Sequence, residues 1–252
     1  WSDGGRALWW ADVLAPSVHR ATCEGDADIV RLEAPVEAVV ALSDGVAIGT
    51  GGGWMRLDAD GDMQPMAATT PRGVTAMTVG PGGRLWASLA DGDRWRVAAL
   101  TPDGTPVGGW RLSEPATALA WDARGQQLYL AAADSGTLYT ATEGSPVLRR
   151  LATVPKGSGR LGGLATDEAG GVWSSLRGGW SVVRFEPDGS VNQVLALPVP
   201  APTDLAFGGP DGRTLFITSA RDAVSREALD AAPHSGRLLC AELSSPGVRA
   251  RA

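Results

Sequence analysis

One short pattern recurs along the whole chain, and it restricts the fold more than any other feature. A variable residue is followed by a small residue and an apolar one, then a turn, then an apolar strand. It reads Glu37-Ala38-Val39-Val40 before Ser43-Asp44-Gly45, and Thr75-Ala76-Met77-Thr78 before Pro81-Gly82-Gly83 and Leu85-Trp86. It returns as Thr117-Ala118-Leu119-Ala120 before Arg124-Gly125 and Leu128-Tyr129, and as Gly162-Gly163-Leu164-Ala165 before Ala169-Gly170-Gly171 and Val172-Trp173. The last copy is Thr203-Asp204-Leu205-Ala206, then Asp211-Gly212, then Leu215-Phe216. Trp1 to Trp10 fits the back half of one further copy, whose variable residue would precede Trp1. Six units of about 42 residues, each with several short strands and Gly-rich turns, are the pattern of an all-β, six-bladed β-propeller. A β-sandwich is the structural alternative, but a sandwich has no need of so regular a spacing.

Composition agrees with a folded all-β domain. The 252 residues include 34 glycines and 17 prolines for the turns, and 44% are hydrophobic. Runs such as Val46-Ala47-Ile48-Gly49-Thr50 and Leu215-Phe216-Ile217-Thr218-Ser219 read as strands. Helical periodicity is nearly absent, and Ser225 to Ala232 is the best short helix. No linker or charge block divides the chain, so residues 1–252 are expected to form one domain. A net charge of −6 without a basic cluster argues against nucleic acid. No apolar run reaches membrane-spanning length, which argues against a membrane partner. Cys23 and Cys240 read as small buried hydrophobes in a reducing compartment, with a disulfide between them as the alternative. The expected location is cytoplasmic. Nothing in the composition sets an oligomeric state.

In a propeller the same position of every blade converges on the central channel. Glu37, Thr75, Thr117, Gly162 and Thr203 are therefore expected to surround one channel end and to contact a small-molecule ligand there. At this point the chain resembles a known family. Trp9-Trp10-Ala11-Asp12-Val13, Pro81-Gly82-Gly83-Arg84-Leu85-Trp86 and Leu205-Ala206-Phe207-Gly208-Gly209 with Leu215 to Arg221 carry the likeness, and Ser235-Gly236-Arg237-Leu238-Leu239 resembles the closing strand. The family is that of gluconolactonase, regucalcin (senescence marker protein) and the luciferin-regenerating enzyme. The resemblance implies one divalent cation, calcium or zinc, and hydrolysis of small lactones by a metal-activated water. It also implies four ligands on the variable positions: a first-blade Glu, two Asn and an Asp.

Those ligands do not match. The two Asn places hold Thr75 and Thr117, and the Asp place holds Leu161-Gly162-Gly163. The chain has a single asparagine, Asn192, in a hairpin. A hard cation takes about six or more oxygens, several of them charged or amide. No cofactor is therefore assigned, and the cation is disfavoured. Glu37 is the candidate general base, against a reading as a solvated carboxylate. Arg72, Thr75, Thr117, Arg160, Thr203 and Asp204 are candidate substrate contacts, the arginines for a sugar-acid-like anion. Asp204 follows its variable position and is equally readable as pointing into the blade. His19 reads as packed and His234 as a loop residue. Trp9, Trp86 and Trp173 read as core, while Trp95, Trp110 and Trp180 are freer to line a pocket rim. Asp58 to Asp62 reads as an acidic hairpin turn. Three functions remain open: a lactonase-like hydrolase with an altered or absent metal, a non-catalytic binder of small molecules, and an interaction propeller.

Overall fold

The computed structural model describes residues 1–2, 6–42, 45–51, 53–66 and 73–248. Arg72 and the Ser43-Asp44 part of a repeat turn lie outside the described residues. The strands form six antiparallel sheets in chain order. The first contains β1 (Ala7–Asp12), β2 (Ser17–Thr22) and β3 (Ala27–Arg31). The second contains β4 (Val36–Leu42), β5 (Gly45–Thr50), β6 (Gly53–Asp58) and β7 (Met63–Pro65). The third contains β8 (Ala76–Val79), β9 (Leu85–Asp91), β10 (Arg94–Leu100) and β11 (Pro106–Leu112). The fourth is β12 (Ala118–Trp121), β13 (Gln127–Ala132), β14 (Thr137–Thr142) and β15 (Leu148–Thr153). The fifth is β16 (Arg160–Thr166), β17 (Val172–Arg177), β18 (Ser181–Phe185) and β19 (Val191–Ala196), and the sixth is β20 (Pro202–Gly208), β21 (Thr214–Ser219) and β22 (Leu239–Glu242). Each sheet is a blade, and the fold class is a six-bladed β-propeller.

The blades fall into two compact units. The first holds Trp1–Ser113 with Gly208–Pro210, and the second holds Glu114–Phe207 with Asp211–Val248. Within each unit the apolar cores lie between consecutive sheets, and the period of two along a strand explains why. In β5, Val46 and Ile48 enter the core shared with the first sheet, beside Trp9 and Val18. Ala47, on the opposite face, enters the core shared with the third sheet, beside Met77 and Leu85. The fifth sheet repeats this: Leu164, Val172 and Val183 face the fourth sheet. Ala165, Trp173 and Val182 face the sixth, beside Phe207 and Ile217. A strand covered on both faces has no polar side, which is why these runs read as wholly apolar.

The short helix α1 (Arg226–Ala231) forms where the sequence places it, capped by the Ser225 hydroxyl, which accepts from the Ala228 N–H. The acidic stretch is a turn: Asp58 Oδ1 accepts from the N–H groups of Asp60 and Asp62. His19 packs as expected, stacked on Trp10 and bonded to the Ser17 hydroxyl. Two expectations need correction. Trp110 is not at a rim; it is buried against Trp86 with ring centroids 5.6 Å apart. Cys23 and Cys240 are neither buried nor bridged; both thiols are free and exposed.

Candidate functional site

In the first unit, Glu37 is the second residue of β4 and Thr75 directly precedes β8. The β4–β5 register shifts between Val36 and Ala38, so Glu37 sits in a bulge and is left out of the ladder. A bulge re-aims a side chain that regular pairing would lock. Glu37 is exposed, with Gly51 beside its carboxylate. Thr75 lies just before β8; its hydroxyl donates to Ser88 Oγ at 2.9 Å and its N–H to the Ser88 carbonyl.

In the second unit the equivalent positions are Thr117, Gly162 and Thr203. Thr117 donates its hydroxyl to the Ala131 carbonyl at 3.2 Å. The β16–β17 register shifts between Leu161 and Leu164, so Gly162 and Gly163 form a second bulge. Here β16 comes very close to β20. A side chain on Gly162 would overlap Ser175 Oγ and stand 2.7 Å from the Thr203 carbonyl. On Gly163 it would overlap Asp204 Oδ1 and stand 2.5 Å from Asp204 Cα. The glycine pair is thus the gap into which the Asp204 carboxylate fits.

Hydroxyls hold the backbone beside that carboxylate. Ser175 Oγ donates to the Thr203 carbonyl at 3.0 Å, and the Thr203 and Thr218 hydroxyls are 2.8 Å apart. The Asp204 N–H donates to Thr218 Oγ1 at 3.0 Å, and Asp204 Oδ1 accepts from the Leu205 N–H at 2.8 Å. Solvent reaches Asp204 from one side while β16 and β21 enclose it from others. Burial pushes its carboxyl above the ordinary range, and the Leu205 N–H opposes this only partly.

Arg160 and Asp204 thus both belong to the second unit but differ in what they can offer a ligand. The Arg160 guanidinium is paired with Asp134 at 2.5 Å, both side chains exposed. It is a bridged cation rather than a free anion receptor. His234 is exposed in a turn whose carbonyl accepts from the Arg237 N–H, and Trp180 is exposed while Trp95 is half-buried.

Residues Trp1–Arg221 match the SMP-30/gluconolactonase/LRE-like region model. The chain belongs to the SMP-30/gluconolactonase/LRE-like family. It is 33% identical to the 6-deoxy-6-sulfogluconolactonase of Pseudomonas putida, over 98% of this chain and 90% of that one. Its fold is similar to that of regucalcin, a calcium-binding protein from Agrobacterium tumefaciens, with TM-score 0.81 and 18% identity over 100% of this chain and 92% of that one. It is also similar to a gluconolactonase from Xanthomonas campestris, with TM-score 0.71 and 23% identity over 86% and 80% of the two chains.

The divalent cation that this family implies does not fit the donors present at these positions. Thr75 and Thr117 offer neutral hydroxyls already engaged within their own sheets. Gly162 offers no side chain, and the bulge around it admits none. Each unit contributes one carboxylate at the positions considered, Glu37 or Asp204. Among the described residues no group of three or more His, Cys, Asp or Glu side chains is placed to hold a metal ion.

The sequence reading missed Ser175 and Thr218. Ser175 is the fourth residue of β17 and Thr218 the fifth of β21, each closing a run that the repeat aligns, Val172-Trp173-Ser174-Ser175 and Leu215-Phe216-Ile217-Thr218. The same place holds Gly49, Ser88 and Ala131 in the other repeats, all small. That regularity was legible, and within their own sheets Ser88, Ala131 and Thr218 bond Thr75, Thr117 and Thr203.

Proposed function

We propose that this chain hydrolyses small sugar-acid lactones, opening the ring ester to the hydroxy acid, and that it does so without a tightly held divalent cation. The relationship that carries the reading is the full-length one to the 6-deoxy-6-sulfogluconolactonase. Two aspects of the chemistry support it. A lactone presents several hydroxyls and one polarisable carbonyl, and in the second unit the Thr203 and Thr218 hydroxyls, next to Asp204, can partner such a molecule. Ester hydrolysis by water needs a base, and carboxylates stand at the variable positions in Glu37 and beside them in Asp204. The ligand is a single small molecule. The free, exposed cysteines favour a reducing, cytoplasmic setting.

The test is acid release from five- and six-membered aldonolactones, including one bearing a sulfonate at C6, measured above spontaneous hydrolysis with and without a chelator. Catalysed turnover that survives chelation is the expected result. Turnover abolished by chelation and restored by calcium or zinc would overturn the metal-free reading. Tight lactone binding without turnover would make the protein a binder. Glu37→Gln tests the base read from the sequence, and unchanged turnover removes Glu37 from the mechanism.

A further inference from the structure

We propose that the Asp204 carboxylate is the general base of this site, presented from β20 through the gap that Gly162 and Gly163 leave in β16. The inference rests on the lactonase reading and goes beyond it by assigning the proton transfer to one residue. Three observations lead to it. The first is steric: the carboxylate occupies space that a side chain at position 163 would fill, so the two strands are matched to each other here. The second is fixation. Oδ1 accepts from the Leu205 N–H and the residue's own N–H is held by Thr218, which leaves Oδ2 with no hydrogen-bond partner among the described residues. The third is environment. The residue is reached by solvent on one side and packed against the Gly162-Gly163 bulge on the other, and this partial desolvation pushes its carboxyl above the ordinary Asp range.

Glu37 compares unfavourably for this role. It is a longer, exposed side chain, and no hydrogen bond from another residue fixes its carboxylate among those described. A base must be held within reach of the proton it takes, and an unfixed side chain loses that advantage.

The step balances as an ordinary ester hydrolysis. A water bound between Asp204 and the lactone attacks the carbonyl carbon, forming the new C–O bond. One of its protons passes to Asp204 Oδ2, and the carbonyl electron pair moves onto oxygen. Collapse of that tetrahedral oxyanion breaks the bond between the carbonyl carbon and the ring oxygen. The departing ring oxygen takes the proton back from Asp204. The product is the open hydroxy acid, whose own carboxyl proton is lost to solvent, and the Asp204 carboxylate is regenerated.

The experiment uses the full chain and one lactone that the wild type turns over. Asp204→Asn keeps the shape and the Leu205 bond but removes the base. Asp204→Ala opens a space that added formate, a small carboxylate, can enter. We expect kcat/KM to fall roughly 10²–10⁴-fold in both variants, the range for loss of a positioned base. KM should change little, and formate should restore part of the rate in Asp204→Ala. Thermal melting of each variant reports folding. Rates within about threefold of wild type in both variants would overturn the proposal. So would a loss that tracks loss of folded protein and that formate does not touch, because that assigns Asp204 a structural role. Failure of the wild type to hydrolyse any lactone is seen before a variant is made, and it strikes the lactonase reading itself.

Discussion

Asp167 should be the most costly single charge to remove from the second unit. Its carboxylate is fully buried and accepts four hydrogen bonds: from Gly171 N–H at 2.9 Å, Trp173 Nε1 at 2.8 Å, Arg184 Nε at 2.6 Å and Arg184 Nη2 at 3.2 Å. In Asp167→Asn the amide group faces N–H donors from Arg184 or Trp173, so at least one donor loses its acceptor. Arg184 keeps Glu186 at 2.6 Å, which spares it complete isolation. Breaking a buried pair by removing one partner costs about 3–5 kcal/mol. For a chain this size that corresponds to a fall in Tm of roughly 6–20 °C. Urea unfolding should show a lower midpoint with an unchanged slope. The pH dependence has a definite sign. Burial alone would raise the Asp167 carboxyl, but Arg184, Trp173 and Gly171 outweigh it and hold the carboxyl below its ordinary value. Its contribution is then fully present above the unfolded-state value near 3.8. It is lost only as pH falls through the lower folded-state value. The gap in stability between wild type and variant should thus be constant from neutral pH down to about pH 4–5 and shrink below it. A penalty under about 1 kcal/mol at neutral pH would refute the reasoning, because it would mean that water or Glu186 replaces the lost acceptor at almost no cost.

Two further substitutions probe the packing and the site. Ile48→Ala, at a fully buried position between the first and second sheets, should cost about 2–5 kcal/mol in urea unfolding. It should leave kcat per folded molecule unchanged if the catalytic machinery lies in the second unit. Gly163→Ala places a methyl on Asp204 Oδ1 and 2.5 Å from Asp204 Cα. It should destabilise by about 1–3 kcal/mol, as overpacking does, and lower lactone turnover together with the Asp204 variants.

Much of the fold was legible because the repeat encodes it. The strand cores, the Ser225 cap and the turns all follow from residues whose roles are local: Gly in turns, alternating faces in strands, a hydroxyl before a helix. The buried places of Trp9, Trp86 and Trp173 followed from one repeated offset. Trp110 departs from its expected rim position because its ring on β11 stacks on Trp86 of β9, a contact made across β10 and not set by the local pattern. The exposed cysteines fail for the same reason: their residue type favours burial, but Cys23 lies in a turn and Cys240 on the short strand β22. At the variable positions of the repeat, the places along the strands were readable and the contacts were not. Spacing placed Glu37, Thr75, Thr117, Gly162 and Thr203 at matching points of their blades. It could not show that Glu37 and Gly162 fall in bulges, since a bulge is a property of two strands paired together.

The glycine pair at 162–163 is best understood through what it admits. Judged by residue type alone, it is a loss, since the resemblance places an acid there and glycine has no side chain. In three dimensions the loss on β16 and the acid on β20 are one arrangement. With any side chain at 163, the Asp204 carboxylate would have to leave its place, and with Asp204 in place no side chain at 163 can enter. A carboxylate therefore remains in this part of the blade, carried by the next sheet and tied to Leu205 and Thr218 instead of to a ligand set around a cation. Thr75 and Thr117 bond to their own sheets in the same spirit, closing their hydroxyls onto Ser88 and Ala131. Gripping a doubly charged ion calls for several charged oxygens converging on one point, and in the second unit the variable positions and their neighbours bring a single carboxylate, that of Asp204.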